Sequence, residues 1–168
     1  MGDKALVYQK KVFDNLEESY MHLQRIKDAF DELRKKYDFP LVGEDFDTIK
    51  QNKHDLAFSD QCIYRFSKLQ DCMGAKLFKS LLLYQGENVN KPFLDILNQL
   101  EVMDIIDVDE WFEIRDLRNE IAHDYENNDA TAKDILNAIY VSKKELEETL
   151  NAIAKMTQYS KDIEIVCL

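Results

Sequence analysis

Between Lys4 and Tyr37 the apolar side chains Phe13, Leu16, Tyr20, Leu23, Phe30, Leu33 and Tyr37 keep a three-then-four spacing, interrupted only near Lys27. That spacing holds them on one side of a helical turn and predicts a long amphipathic helix. Pro40 and Gly43 in "DFPLVGED" end it, and "EDFDTIKQN" reads as a short helical turn. A second stripe of Phe58, Cys62, Phe66, Leu69, Met73, Leu77, Leu81 and Tyr84 predicts a helix from about Asp55 to Tyr84, stopped by Gly86. Gly74 falls inside it. Glycine weakens a helix interior, so the position calls for close packing against another helix, or for a kink.

Pro92 suits the first turn of a shorter helix, "PFLDILNQLEVM", and Asp107 or Asp109 offers an N-cap for "EWFEIRDLRNEIAHDY". After "ENND", Ile135, Ile139, Leu146, Leu150 and Ile153 predict a third long helix reaching about Tyr159. Only the tail "DIEIVCL" alternates with period two, and it is read as frayed or lying against a neighbour. The pattern as a whole predicts an all-α antiparallel bundle of about five helices with short loops, one domain over residues 1–168.

Composition agrees, since only four glycines and two prolines interrupt 168 residues. A formal charge of −11 opposes general attraction to phosphate backbones, so no DNA is expected and any RNA contact must be local or assisted. Cys62, Cys72 and Cys167 have no paired spacing, which argues for reduced thiols rather than disulfides or zinc. No hydrolase triad, P-loop or metal-ligand spacing occurs; neither metal nor cofactor is expected, and the isolated His22 and His54 are read as structural or surface residues. The start "MGDKALVYQKK" has no apolar signal core, and no stretch approaches the roughly 20 apolar residues of a membrane span, so the expectation is a cytoplasmic protein without a membrane partner.

The chemistry concentrates in "LRNEIAHDY", residues 117–125. At about 100° per residue, Ile114, Leu117, Ile121 and Tyr125 share an arc that should face the bundle. Measured from Ile114, Arg118 lies about 40° away, Arg115 about 100°, Asn119 about 140°, Phe112 about 160° and His123 about 180°. A strip of Arg115, Arg118, Asn119, His123 and Phe112 therefore runs between the core and an acidic face of Glu113, Asp116, Glu120 and Asp124. A phenylalanine on such a strip predicts a second surface covering it, as in a homodimer contacting through Phe112, Arg115, Asn119 and His123. The plain alternative is that Arg115 and Arg118 pair with surrounding carboxylates on a solvated face.

"RNEIAHDY" reads as Arg, four residues, His, one residue, Tyr, with Asn after the Arg, near the end of the penultimate long helix. This resembles the HEPN superfamily, and within it the HepT-type toxins, also described as nucleotidyltransferase substrate-binding proteins. The resemblance covers the architecture of most of the chain and rests in detail on Arg118, Asn119, His123 and Tyr125. It implies a HEPN-like helical homodimer that cleaves RNA without metal and is held in check by an MntA-type nucleotidyltransferase antitoxin. It further implies that Arg118 and His123 carry the chemistry, and that Tyr125 is the residue to which the partner attaches AMP.

The implied chemistry suits these side chains. Attack by an RNA 2′-OH needs a proton acceptor or donor, which an imidazole supplies, and the charge developing on phosphorus needs a fixed guanidinium. His123 would be the acid or base, Arg118 the phosphate clamp, and Asn119 would orient the imidazole or bind phosphate. Ten acids against two arginines between Asp104 and Asp129 make a poor landing surface for RNA, so Arg65, Lys68, Lys76 and Lys79 of the second helix are candidates to line the cleft. Two other readings compete: a non-catalytic subunit presenting a nucleotide or substrate to a nucleotidyltransferase, and a purely structural helical dimer. The acidic balance favours the former of these, because a basic partner enzyme would welcome it.

Overall fold

The computed structural model describes residues 2–160, and every regular element among them is helical. The helices are α1 (Gly2–Arg34), α2 (Asp45–Gln51), α3 (Lys53–Cys72), α4 (Phe78–Tyr84), α5 (Phe93–Val102), α6 (Val108–Asp124) and α7 (Asp129–Thr157). α3 and α4 are one rod joined by a π-helical turn, Met73–Leu77, where the Phe78 N–H donates to the Met73 carbonyl. The tail "DIEIVCL" lies outside the described residues.

Local chemistry sets most of the boundaries. Asn52, Asp107 and Asn128 cap α3, α6 and α7, each side-chain oxygen accepting from a backbone N–H of the first turn. Gly86 adopts a φ of 81° and stops α4, its N–H donating to the Leu83 carbonyl. α1 stops at Arg34, earlier than the Tyr37 that completes the apolar pattern. Tyr37 remains in the fold because its hydroxyl donates to Asp55, 2.8 Å away.

Cross-helix contacts give the directions of the rods. Asn15 of α1 meets Ser80, and Lys36, just past the end of α1, meets Asp55, so the α3–α4 rod runs antiparallel to α1. Tyr20 meets Asn151 and the Phe30 ring meets Tyr140, so α7 also runs antiparallel to α1. Arg118 meets Asp71 and Tyr125 meets Ser59, which makes α6 antiparallel to α3. The apolar stripes of these helices form one core, from Val12 and Leu16 through Phe66, Phe78 and Trp111 to Ile153. The all-α antiparallel bundle is as expected, with α2 added to the five main helices.

Candidate functional site

Gly74 fixes the geometry of this region. A Cβ there would stand 3.2 Å from Cζ2 of Trp111, so the bare backbone is what lets α6 lie this close. The close approach expected of this position is present, and it coincides with a π-turn; single π-turns of this kind recur at functional sites. The ring of Trp111, only 3% exposed, packs edge-on to Phe78 with centroids 4.7 Å apart. Its Nε1 is buried without a hydrogen-bond partner among the described residues.

Beside this contact lies an open groove of about 440 Å³. One wall is α6, through Arg115, Arg118 and Asn119; the other is the α3–α4 rod, through Gln70, Asp71 and Lys79 around Gly74, with Phe93 of α5 at the edge. Arg118 forks onto Asp71, Nε to Oδ1 at 3.2 Å and Nη2 to Oδ2 at 3.3 Å, with both side chains partly exposed at 34% and 49%. The pairing carboxylate thus belongs to another helix rather than to the acids flanking Arg118 in sequence. Arg115 has no ion pair among the described residues; its guanidinium sits 6.0 Å from the Phe93 ring centroid. Three cations therefore face the groove against one carboxylate.

His123 is exposed, and its ring makes no hydrogen bond or ion pair among the described residues; only its carbonyl is engaged, accepting from Asn127 Nδ2 at 3.4 Å. It does not line the groove, so one copy of the chain does not bring it together with Arg118. Asn119 links the two, lining the groove and standing one turn before His123. Tyr125 turns inward, as the helical arc requires. Its ring meets Phe46, and its hydroxyl lies 2.9 Å from Ser59 Oγ and donates to Asp60 Oδ1 at 3.1 Å. Burial pushes that hydroxyl well above the ordinary tyrosine range; the Ser59 bond opposes the shift and the Asp60 charge adds to it.

Two expectations need correction. Phe112 is not stranded on a polar face: it is half-buried against its own core and does not line the groove. The reason is the three-residue spacing of Val108, Trp111, Ile114 and Leu117, all buried, which turns the core face by about 180° along the first half of α6. Phe112 shares a side with Val108, so an arc drawn from Ile114 onward leaves it wrongly outside. Of the basic residues on the second rod, only Lys79 reaches the groove. Arg65 bonds His22 and Met21 of α1, Lys68 lies over Tyr64, and Lys76 pairs with Glu18.

His22 is buried, and His54 hydrogen-bonds Asp55, both in structural settings as expected. Sequence reasoning missed Gln70, Asp71 and Phe93. The signal for the first two was Gly74, because residues three and four before it share its helix face. Phe93 carried no comparable mark. Among the described residues no group of three His, Cys, Asp or Glu side chains is placed to hold a metal ion, and no helix is long and apolar enough to cross a membrane. Comparison of the chain with protein-family models, with curated proteins and with solved structures finds no match.

Proposed function

We propose that the chain is a HepT-like endoribonuclease toxin of the HEPN type, acting as a homodimer without metal and partnered by an MntA-type nucleotidyltransferase. The observation that carries this reading is the groove itself: Arg118 and Asn119 line it with Lys79 and Arg115, and His123 stands one turn beyond Asn119. A phosphodiester seated there exchanges with Asp71 for the Arg118 fork, which matches two phosphate oxygens as well as it matches a carboxylate. The RNA 2′-oxygen attacks phosphorus, its proton passing to a base, and the 5′-oxygen leaves with a proton from an acid. The products are a 2′,3′-cyclic phosphate and a free 5′-hydroxyl. His123 serves as acid or base, brought over the groove by the second copy of the chain.

The partner's ATP would supply AMP to Tyr125, whose oxygen attacks the α-phosphorus while pyrophosphate leaves. Asp60, already holding the phenol proton by hydrogen bond, is positioned to take it. AMP at this position adds bulk and negative charge two residues from His123 on the same segment. Intact mass of chain incubated with partner and ATP tests this step, with no AMP gained by Tyr125→Phe.

One observation favours the second reading, a non-catalytic subunit that presents a nucleotide or substrate to the nucleotidyltransferase: Asp71 already neutralises Arg118 in the resting chain. The experiment that decides is incubation of the purified dimer with RNA, with and without EDTA. Cleavage to cyclic phosphate ends in both supports the ribonuclease; intact RNA in both removes it and leaves the partner-subunit reading.

A further inference from the structure

Gln70 is 93% removed from solvent, at 7% exposure, yet lines the groove, and its side-chain amide has no hydrogen-bond partner among the described residues. Neither amide atom is among the fully enclosed, unpartnered ones, so the amide keeps an opening to solvent. Its donor and acceptor are therefore left to water or to a ligand in the groove. Its Nε2 lies 3.9 Å from where a Cβ on Gly74 would stand, a point that is also 3.8 Å from Cζ of Phe93. Around it the groove offers three kinds of contact: the cations Arg118 and Lys79, the planar edge of Phe93 under Arg115, and the amides of Gln70 and Asn119.

We infer that this groove is a subsite for a single nucleoside monophosphate, whether free or as one residue of an RNA chain. Arg118 and Lys79 hold its phosphate, Phe93 and Arg115 hold the plane of its base, and Gln70 reads the base edge. No simpler ligand meets the whole set. Inorganic phosphate leaves Phe93 and Gln70 unused, and a sugar phosphate leaves the aromatic face unused. A volume of about 440 Å³ suits one nucleotide. A carboxamide has one donor face and one acceptor face, so it bonds some base edges in register and opposes others. The inference deepens the ribonuclease reading and rests on it only for RNA as the source of the nucleotide.

The test is titration of the full-length chain with the four nucleoside 5′-monophosphates, ribose 5-phosphate, inorganic phosphate and adenosine. Binding is followed by calorimetry and by fluorescence of Trp111, the single tryptophan, which abuts the groove at Gly74. The expected result is that the best nucleotide binds at least about tenfold more tightly than ribose 5-phosphate, the scale that stacking one base on an aromatic ring carries. It also binds more tightly than adenosine. The four nucleotides differ in affinity, and Gln70→Leu levels them, while Phe93→Leu removes the advantage over ribose 5-phosphate. Should either leucine variant fail to fold by circular dichroism, Gln70→Glu, which keeps the shape but replaces the donor with a charged acceptor, must reorder the four. Ribose 5-phosphate binding as well as every nucleotide, or four equal nucleotides, overturns the subsite. Nucleotide binding with this pattern but no RNA cleavage leaves the subsite standing and removes the ribonuclease. RNA cleavage indifferent to Gln70 and Phe93 does the reverse.

Discussion

An aspartate lies near each end of α3, and the two have opposite surroundings. Asp55, 2% exposed, accepts from Tyr37 at 2.8 Å, from Lys36 at 3.1 Å and from His54 at 3.1 Å. Asp71, with half its side chain in solvent, pairs with Arg118, while Arg115 and Lys79 beside it have no ion pair among the described residues. In the first cluster the carboxylate is the scarce group and every neighbour turns to it. In the second the cations are in excess over the acid, and the excess faces an open groove. A buried charge tolerates its surroundings only when its bonds are complete. Spare charge persists where solvent or a ligand completes it, and on that ground Asp55 belongs to the fold and Asp71 to the site.

The largest effect expected from this contrast comes from a residue whose side chain makes no hydrogen bond or ion pair among the described residues. His123→Ala should lower RNA cleavage by about 10² to 10⁴, the range for a general acid or base. Its stability should stay within about 0.5 kcal/mol of the parent, as for other exposed substitutions. Initial cleavage rates and urea midpoints measured on the same preparation separate the two effects. A variant that cleaves at the parent rate would take His123 out of the chemistry.

Next comes the buried end. Asp55→Asn should cost about 1–3 kcal/mol, because three donors lose a charged acceptor and part of the site stays shut off from water. Burial by itself would raise the Asp55 pKa, but the bonds from His54, Tyr37 and Lys36 outweigh it and hold the carboxyl below its ordinary value. Burial and the same carboxylate push Tyr37 up to about 12, which keeps its hydroxyl a donor across the neutral range. With the folded pKa depressed, the contribution of Asp55 is complete above the unfolded value of about 4 and is lost as pH falls through the lower folded value. Urea melts on the acid side should therefore show the parent losing its advantage over Asp55→Asn. Parallel curves would mean that the cluster is not a structural anchor.

The helices and their order were legible because apolar spacing and capping residues are local. Asn52, Asp107 and Asn128 act within one turn of where they stand in the chain, and α1, α3 and α7 follow their stripes. The motif helix was legible on its Tyr125 side and misread on its Phe112 side, because Val108 and Trp111 rotate the buried face as the helix crosses the rod. The opposite wall of the groove was the least legible part. Asp71 stands 47 positions from Arg118, and nothing near either residue marks their pairing. Gly74 was the one local hint, and it pointed to close approach without naming Trp111 as the group that approaches.

Gly74→Ala examines that approach, with a smaller expected effect. In an ordinary helix interior alanine gains about 0.5–1 kcal/mol over glycine. Here the added Cβ meets Trp111 at 3.2 Å, and that ring is pinned by Phe78 behind it. Overpacking should win, for a net loss of about 1 kcal/mol by urea denaturation together with a shift in Trp111 emission. A gain in stability would show that the ring yields and that packing does not dictate the π-turn.

Asp71→Asn is the smallest change in stability and the sharpest check on the comparison. A half-exposed ion pair typically contributes about 0–1 kcal/mol, so the urea midpoint should move far less than it does for Asp55→Asn. The groove, however, loses its one carboxylate while Arg115, Arg118 and Lys79 remain. A phosphate entering it no longer displaces a charged competitor from Arg118, and repulsion from the acid is gone. Affinity for a nucleoside monophosphate should rise several-fold, with the gain largest at low ionic strength because the groove is open and salt screens it. RNA cleavage at limiting substrate should rise in parallel while the rate at saturation changes little, since Asp71 competes for phosphate and takes no part in proton transfer. If Asp71→Asn binds nucleotide more weakly than the parent, the carboxylate positions Arg118 instead of occupying it. Asp55 and Asp71 would then differ only in depth, with the site's charge balance set by Asp71 as a fixed part.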